Sequence, residues 1–194
     1  MARQREFDET KVIETAINLF WKKGYNAVST QDMLEAFNIS RSSMYSAYKT
    51  KRNLFILALQ EYRNTSAEKM ITTLNEGTSF KATIKKILSQ FIEETISDID
   101  NKGCFIVNTA IELAAHDDEI LEIIREHRKD IISALTNAIE KGINKGEIVT
   151  KQSPISIANY FYSFINGLRV DGKIYKDVNE HMKVLDIVMS LLDN

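Results

Sequence analysis

Apolar residues recur every three to four positions along almost the whole chain, which is the spacing of one face of an α-helix. The first such stripe follows Asp8, a candidate N-cap, and ends before Gly24, a candidate helix stop. It consists of Val12, Ile13, Ala16, Leu19 and Phe20. No segment keeps the strict alternation that a half-buried β-strand requires. The pattern therefore predicts an all-α protein.

Two short helices and six longer ones are predicted after the first. Ser29 and Thr30 offer caps for the second helix, and Asn38 ends it because asparagine tolerates a left-handed backbone. Ser40 caps a third helix that closes near Tyr48. The longer helices are predicted over residues 50–75, 80–99, 103–115, 118–144, 154–172 and 178–193. The chain is therefore expected to form about nine helices.

Composition agrees with a helical globular protein. The chain has 194 residues, 44% of them hydrophobic, with one proline and seven glycines. A single cysteine excludes an intrachain disulfide framework and favours a reducing compartment. The first ten residues carry no apolar run typical of a secretory signal, and no window is apolar enough to span a membrane. We expect a cytoplasmic protein without a membrane partner.

The third predicted helix contains few apolar residues that could be buried in a core. It lies in FNISRSSMYSAYKTK, residues 37–51, which holds four serines and two tyrosines. These are only moderate helix formers, and only Met44, Ala47 and Tyr48 are placed to face a core. Residues 1–55 hold nine Lys/Arg against six Asp/Glu, a net charge of +3, whereas the other residues carry −5. A polar helix in a basic first quarter indicates an anionic partner.

A short helix, the turn FNIS and a second short helix form the pattern of a helix-turn-helix, whose second helix lies in the DNA major groove. Ser29 and Thr30 stand at a helix N-terminus, which favours a phosphate, and Lys51 is placed to pair with the phosphate backbone. The side chains that point outward on a helical wheel are those of Arg41, Ser42, Tyr45 and Ser46. The same spacing also occurs among solvated surface residues of plain helical bundles.

Two longer segments carry a family resemblance. ETAINLFWKKGYNAVSTQDM and LEAFNISRSSMYSAYKTKRNLF contain an aromatic residue before Gly-Tyr, a hydroxyl pair opening helix two, and S-R-S-S-M-Y-x-x-Y-x-x-K in helix three. Residues 8–55 thereby resemble the DNA-binding domain of the tetracycline-repressor (TetR) family of bacterial transcription regulators. The resemblance implies a DNA-binding domain over residues 1–50 and a ligand-binding and dimerisation domain over 51–194. The candidate DNA-binding residues are Ser29, Thr30, Arg41, Ser42, Ser43, Tyr45, Ser46, Tyr48 and Lys51, the last as a phosphate clamp.

The resemblance also implies a homodimer. The predicted helices near residues 154–172 and 178–193 would pair with their copies as a four-helix bundle, as in the family. Both carry more apolar residues than one packed side needs, for example Tyr160 and Phe164 in the first and Ile187 and Leu191 in the second. The alternative is that these residues belong to the core of a single chain.

A ligand site would need apolar and aromatic walls with a few convergent polar groups. The family places such a cavity beside the helix that contains GCFIVNTAIELA. The candidate ligand-binding residues are Phe91, Cys104, Phe105, Asn108, Thr109, Glu112, Tyr160, Phe164 and Asn166. Cys104, near Lys102 at a helix start, also allows a thiol-based sensor of oxidants or electrophiles, although a small buried cysteine is the commoner situation.

No enzymatic chemistry is predicted. The three histidines form no metal-ligand motif, and no P-loop, dinucleotide fingerprint or nucleophile elbow is present, so neither a metal nor another cofactor is expected. We predict a one-component regulator, most simply a repressor, that binds a palindromic operator in double-stranded DNA and is released by a small-molecule effector. The rival hypothesis is a helical protein-interaction or lipid-binding module that retains a degenerate helix-turn-helix.

Overall fold

The computed structural model describes residues 7–193, and within that range the chain forms nine helices and no strand. The all-α prediction is confirmed, and the predicted helix ends differ from the observed ones by a few residues at most. The helices are α1 Glu9–Lys23, α2 Thr30–Phe37, α3 Arg41–Tyr48, α4 Lys51–Glu76, α5 Phe80–Ser97, α6 Phe105–Leu113, α7 Asp118–Asn144, α8 Pro154–Asp171 and α9 Val178–Ser190.

Local chemistry explains where the first three helices begin and end. The Asp8 carboxylate accepts hydrogen bonds from two amides of the first turn of α1. At the start of α2, Ser29 and Asp32 form a reciprocal capping box, and α2 ends at Asn38, whose φ of 52° and ψ of 44° are left-handed. Ser40 then caps α3. These caps fix α2 and α3 as two short helices joined by a tight turn.

Two hydrophobic clusters fill the interior, and α4 contributes to both. The first, here called the N-terminal cluster, joins α1–α3 and the start of α4 to α6 and the start of α7; its members include Phe20, Met33, Met44, Phe55, Phe105, Leu113 and Ile120. The second joins the remainder of α4 to α5, α8, α9 and the later part of α7. The domain boundary expected between residues 50 and 51 stays a prediction, because α4 runs from one cluster into the other.

The outer sides of α8 and α9 keep large apolar residues exposed. Their inner sides supply buried residues such as Phe161, Leu168 and Leu185 to the second cluster. The exposed apolar residues of the two helices are Ile155, Tyr160, Val170, Val178, Val184 and Ile187, followed by Leu191 at the end of α9. None of the helices in residues 7–193 has the length and apolar character needed to cross a bilayer. The exposed apolar side chains of α8 and α9 make this face a candidate protein–protein contact.

Candidate nucleic-acid interface and ligand cavity

Helix α3 is held to the protein by one narrow apolar side. Met44 and Tyr48, which are 3% and 5% exposed, enter the N-terminal cluster. At the other end of the helix, Ser40 Oγ accepts the Ser43 amide hydrogen bond and lies 2.9 Å from both the Ser42 and Ser43 hydroxyls. Ala47 is half-buried against the same cluster, and the side chains on the other side of the helix are exposed.

The outward side of α3 is a row of hydrogen-bonding side chains. Arg41, Ser42, Tyr45 and Ser46 are all exposed, as the helical wheel predicted. The Tyr45 ring is 38% exposed, and its hydroxyl lies 3.3 Å from Thr30 Oγ1 at the start of α2. Hydroxyl and guanidinium groups thus project from α3 and from the first turn of α2 on one side of the molecule. We call this row the polar face of α3.

Two of the predicted contact residues have their side chains engaged within the protein. Tyr48 is buried, with its ring centre 6.3 Å from that of Phe7, so it packs against the core instead of facing outward. Ser29 is exposed, but its hydroxyl donates to the Asp32 carboxylate at 2.8 Å and accepts from the Asp32 amide at 3.1 Å. Ser29 caps α2 because it directly precedes the helix, and Tyr48 is buried because it lies on the same side of α3 as Met44.

Lys51 is folded back onto the protein, and its role as a phosphate clamp stays a prediction. Its ammonium group donates to the carbonyl oxygen of Val28 and lies 4.5 Å from the centre of the Tyr25 ring. Burial lowers the pKa of Lys51, with the charges of Glu112 and Asp32 opposing that shift. In this structure Lys51 fastens the first turn of α4 to the segment between α1 and α2.

The chain passes from α3 to α4 through a strained turn. Lys49 has φ of 66° and ψ of −54°, and the Thr50 amide donates to the Tyr48 carbonyl at 2.7 Å. These values describe a γ-turn with a positive central φ, which is rare for a residue with a side chain. The turn sets the direction in which α3 projects from α4.

A carboxylate on α6 is bonded to the turn that follows α1. Glu112 accepts the amide hydrogens of Tyr25 at 3.0 Å and Asn26 at 2.7 Å. The preceding Gly24 has φ of 80°, and a Cβ placed there would lie 3.0 Å from the Glu112 carboxylate. A glycine therefore serves two needs at this turn, since the backbone is left-handed and the carboxylate approaches closely.

A second polar link joins the start of α4 to the start of α7. The Arg52 guanidinium donates to both carboxylate oxygens of Asp117, at 2.8 and 2.9 Å, and to Glu119 at 2.9 Å. Hydrogen bonds from Arg52 hold the pKa of Asp117 below its usual range. The fork geometry of a guanidinium on a carboxylate orients the two helix starts relative to each other.

A cavity of about 440 Å³ lies between α1 and the helices α4 to α8. That volume falls within the range of small-molecule sites. Four aromatic side chains, those of Trp21, Tyr62, Phe91 and Tyr162, line it together with aliphatic residues of α4, α6, α7 and α8. Trp21 belongs to α1 and its ring lies 5.0 Å from that of Tyr62, so the cavity wall includes part of the helix that precedes the helix-turn-helix.

Two cations face this cavity over aromatic rings. The guanidinium carbon of Arg169 lies 4.2 Å from the centre of the Phe91 ring, and the Lys102 ammonium lies 4.9 Å from that of Trp21. Burial, helped by the charge of Arg63, lowers the pKa of His127 to about 4, so this lining residue is neutral at pH 7. The cavity is therefore aromatic with localised positive charge.

The structure brings three of the predicted ligand residues, Phe91, Cys104 and Asn166, to the cavity wall. Cys104 stands at the N-cap position of α6, is 9% exposed and accepts a hydrogen bond from the Tyr62 hydroxyl at 4.0 Å. Among residues 7–193, no three His, Cys, Asp or Glu side chains gather as metal ligands would. The aromatic and aliphatic walls of the cavity resemble those of small-molecule sites.

The other six predicted ligand residues are placed elsewhere. Phe105 and Thr109 are buried among neighbouring side chains and do not line the cavity, and Glu112 binds the α1–α2 turn. The Asn108 amide donates to the Lys102 carbonyl at 2.6 Å. On α8, Tyr160 is 42% exposed and Phe164 borders a shallow surface pocket near α9. The facing of α6 and α8 depends on how the six helices around the cavity pack, so the sequence pattern alone does not decide which of these side chains line it.

Sequence reasoning also missed several cavity residues. Trp21 lies within the expected DNA-binding domain and Lys102 just before the helix predicted over residues 103–115, and neither was a candidate ligand residue. Arg169 follows Leu168 in α8, directly after a buried position. A charged residue next to a buried stripe is a usable signal for a cavity, although it is also compatible with an exposed flank.

Known protein families match both halves of the chain. Residues 12–58 match the family described as "Bacterial regulatory proteins, tetR family", and residues 81–188 match "Tetracyclin repressor-like, C-terminal domain". The Bacillus subtilis (strain 168) protein named "Uncharacterized HTH-type transcriptional regulator YezE" is 29% identical over 194 residues, which is 100% of both chains. The HTH-type transcriptional repressor ComR of Escherichia coli (strain K12) is 22% identical over 97% of this chain and 90% of ComR.

Solved structures share the fold. A cysteine mutant of the TetR family transcriptional regulator CifR, complexed with 26bp double-strand operator DNA, superposes with a TM-score of 0.85 at 21% identity, covering 98% of this chain and 100% of CifR. The reduced form of E. coli NemR gives a TM-score of 0.85 at 16% identity, covering 94% and 95%. The arrangement of short N-terminal helices on a larger helical body is thus common to these chains.

Proposed function

Because the chain belongs to the tetR family of bacterial regulatory proteins, we propose that it is a homodimeric repressor that binds a palindromic operator and is released by a small molecule. The polar face of α3 carries this proposal. Its side chains are exposed and hydrogen-bonding, whereas the opposite side of the helix is buried in the N-terminal cluster. An exposed helix of this kind fits a DNA groove.

The residues of the polar face divide by what they are able to contact. Arg41 offers a planar guanidinium that pairs with guanine or a phosphate, and it is the candidate for base reading. The hydroxyls of Ser42, Tyr45 and Ser46 suit phosphate oxygens or base edges. Ser43 and Thr30 are half-buried, and their hydroxyls lie within hydrogen-bond distance of those of Ser40 and Tyr45, respectively. We assign Lys51 an indirect role, since its ammonium group holds the α1–α2 segment.

We propose that two copies pair through the exposed apolar face of α8 and α9. Its large side chains, such as Ile187 at 66% exposed and Ile155 at 54%, lie outside the core of this chain. Covering such a face by a second copy removes it from water, and a two-fold axis presents two α3 helices to two half-sites. A palindromic operator follows from that symmetry. The compartment of this activity would be the cytoplasm, where bacterial DNA is found.

The contacts between α6, α1 and α4 supply a route from the cavity to α3. Trp21 is both a cavity-wall residue and part of α1, and Glu112 joins α6 to the turn that precedes α2. A ligand that fits the cavity better when α6 or α1 has moved would favour a spacing of the two α3 helices that no longer matches the operator. Such a ligand shifts the equilibrium only by its difference in affinity for the two arrangements.

The proposal is tested by selecting bound sequences from random duplex DNA and measuring the affinity of the selected site. We expect Arg41→Ala to lose about tenfold or more in affinity and to relax sequence preference, as for loss of a base contact. Tyr45→Phe, which removes one hydroxyl, should weaken binding to all duplexes alike. Lys86→Ala, an exposed residue of α5, is the matched control and should have no effect.

Salt dependence separates the proposal from the rival of a protein- or lipid-binding module. Binding through phosphates weakens steeply as salt rises, because counterions are released. Selection that returns no consensus, or equal affinity of the wild type and both α3 variants, would refute operator reading by the polar face.

A further inference from the structure

We propose that the cavity binds an organic anion with an aromatic or similarly flat apolar body, with Arg169 as the residue that pairs with the negative group. This inference rests on the proposed function, because it names the chemical class of the effector that the cavity would take. The site combines two unpaired cations with four aromatic walls.

The first argument is the state of the Arg169 guanidinium. Within residues 7–193, no carboxylate lies within ion-pair distance of this guanidinium. Its central carbon lies over the Phe91 ring, 4.2 Å from the ring centre. A half-buried guanidinium against a ring has been partly removed from water and still has its donors available. Such a group gains most from a ligand anion that approaches in the plane of its fork.

The second argument is the balance of the other charges around the cavity. Lys69 and Glu94 pair with each other at 3.3 Å, and the Asp98 carboxylate accepts the Gly103 amide at 3.0 Å. Lys102 adds a second cation without an ion-pair partner among the described residues, over the Trp21 ring. With His127 neutral, the lining carries one positive charge more than negative. The cavity therefore favours an anion over a neutral or cationic ligand of the same shape.

The third argument concerns the body of the ligand. Tyr62, Phe91, Tyr162 and Trp21 present ring faces and edges into about 440 Å³. Flat rings and conjugated chains fill such a space with offset-stacked or edge-to-face contacts. The effector class is thus an aromatic carboxylate, sulfonate or phenolate, and not a sugar, a polyamine or a metal ion.

A pair of fluorescent probes tests the charge preference on the full-length protein. Anilinonaphthalene sulfonate and phenylnaphthylamine share their ring system, and only the first carries a negative group. We expect Arg169→Gln to weaken the sulfonate at least about tenfold, the scale of one lost charge-assisted hydrogen bond. The same variant should leave the affinity for phenylnaphthylamine within about twofold, because the ring contacts remain. Arg169→Lys should retain part of the sulfonate affinity, and Lys102→Gln should lose less than Arg169→Gln.

Arg125→Gln is the matched control, since Arg125 is 65% exposed on the surface of α7 and does not line the cavity. Far-UV circular dichroism and the unfolding midpoint establish that each variant is folded. Equal loss of both probes in Arg169→Gln, or no loss of the sulfonate, would overturn the inference, as would failure of the sulfonate to bind the wild type at all. None of these outcomes depends on DNA, so they are distinguishable from failure of the operator selection.

Discussion

Replacing Glu112 breaks the bond between the cavity helix α6 and the turn that leads into α2. Glu112→Ala removes the acceptor for two backbone amides, those of Tyr25 and Asn26. Glu112→Gln keeps one oxygen at nearly the same place but removes the charge. The first change leaves both amides without their protein partner, while the second weakens two hydrogen bonds. The two variants should therefore differ in stability in a defined order.

The magnitude follows from the geometry. The two hydrogen bonds are 3.0 and 2.7 Å long and end on a carboxylate, and bonds to charged groups contribute about 1.5–3 kcal/mol each. Because the Asn26 amide lies at an exposed residue and gains water in the variant, we expect Glu112→Ala to cost about 2–3 kcal/mol in total. The corresponding fall in unfolding midpoint is roughly 5–10 °C for a chain of this length. Glu112→Gln should cost about 1 kcal/mol.

Denaturant and thermal unfolding at a single protein concentration provide the assay, because a dimer's midpoint depends on concentration. Glu122→Ala is the control: this residue is 62% exposed on α7 and pairs with Arg125 at 3.6 Å, so its loss should change stability by less than about 0.5 kcal/mol. Operator affinity of Glu112→Gln, measured without effector, reports whether the bond also holds α2 and α3 in their binding arrangement.

If Glu112→Ala proves as stable as Glu122→Ala, the reasoning is refuted, because the two amides would then be equally well served by water. A fall in stability with unchanged operator affinity and unchanged effector response would keep the energetic argument and remove Glu112 from the route between cavity and α3.

Two further predictions concern residues described above. Burial lowers the pKa of His127 to about 4, helped by the charges of Arg63 and Arg169 and opposed by that of Asp130. In the unfolded state His127 therefore takes up a proton near pH 6.5, whereas in the folded state it stays neutral down to about pH 4. Stability should fall by about 2 kcal/mol between pH 7.5 and pH 5 relative to a His127→Gln variant, measured by urea unfolding at both pH values, and parallel pH profiles would contradict this. Lys49→Gly should raise the free energy of unfolding by about 0.5–1 kcal/mol, because glycine relieves the positive φ at the cost of some chain entropy; a destabilised variant would show that the γ-turn is not strained.

Much of the fold was predictable because its signals are local. Asp8, Ser40 and Asn38 act on amides and dihedral angles within a few residues, so the ends of α1, α2 and α3 follow from short stretches of sequence. The outward side of α3 was also predictable, since helical periodicity alone separates Met44 from Tyr45.

The cavity could be predicted only in part, because its wall is assembled from six helices distant in sequence. Whether α6 turns Cys104 or Phe105 toward the cavity depends on the angle at which it packs against α1 and α4. Lys51 shows the same limit: its long side chain reaches the Val28 carbonyl, a partner that no local pattern reveals. Long-range packing decided these positions.

The composition of the N-terminal cluster limits how the DNA-binding segments of such regulators can be exchanged in chimeric proteins. Phe105, Leu113 and Ile120 belong to the same cluster as Phe20 and Phe55, so the DNA-binding helices share their interior with segments much later in the chain. A chimera that exchanged only the first fifty or so residues would set foreign side chains against these three and open gaps between them. Transplanting a new specificity into this scaffold would instead require either grafting the polar face alone or carrying α6 and the first turns of α7 along with it.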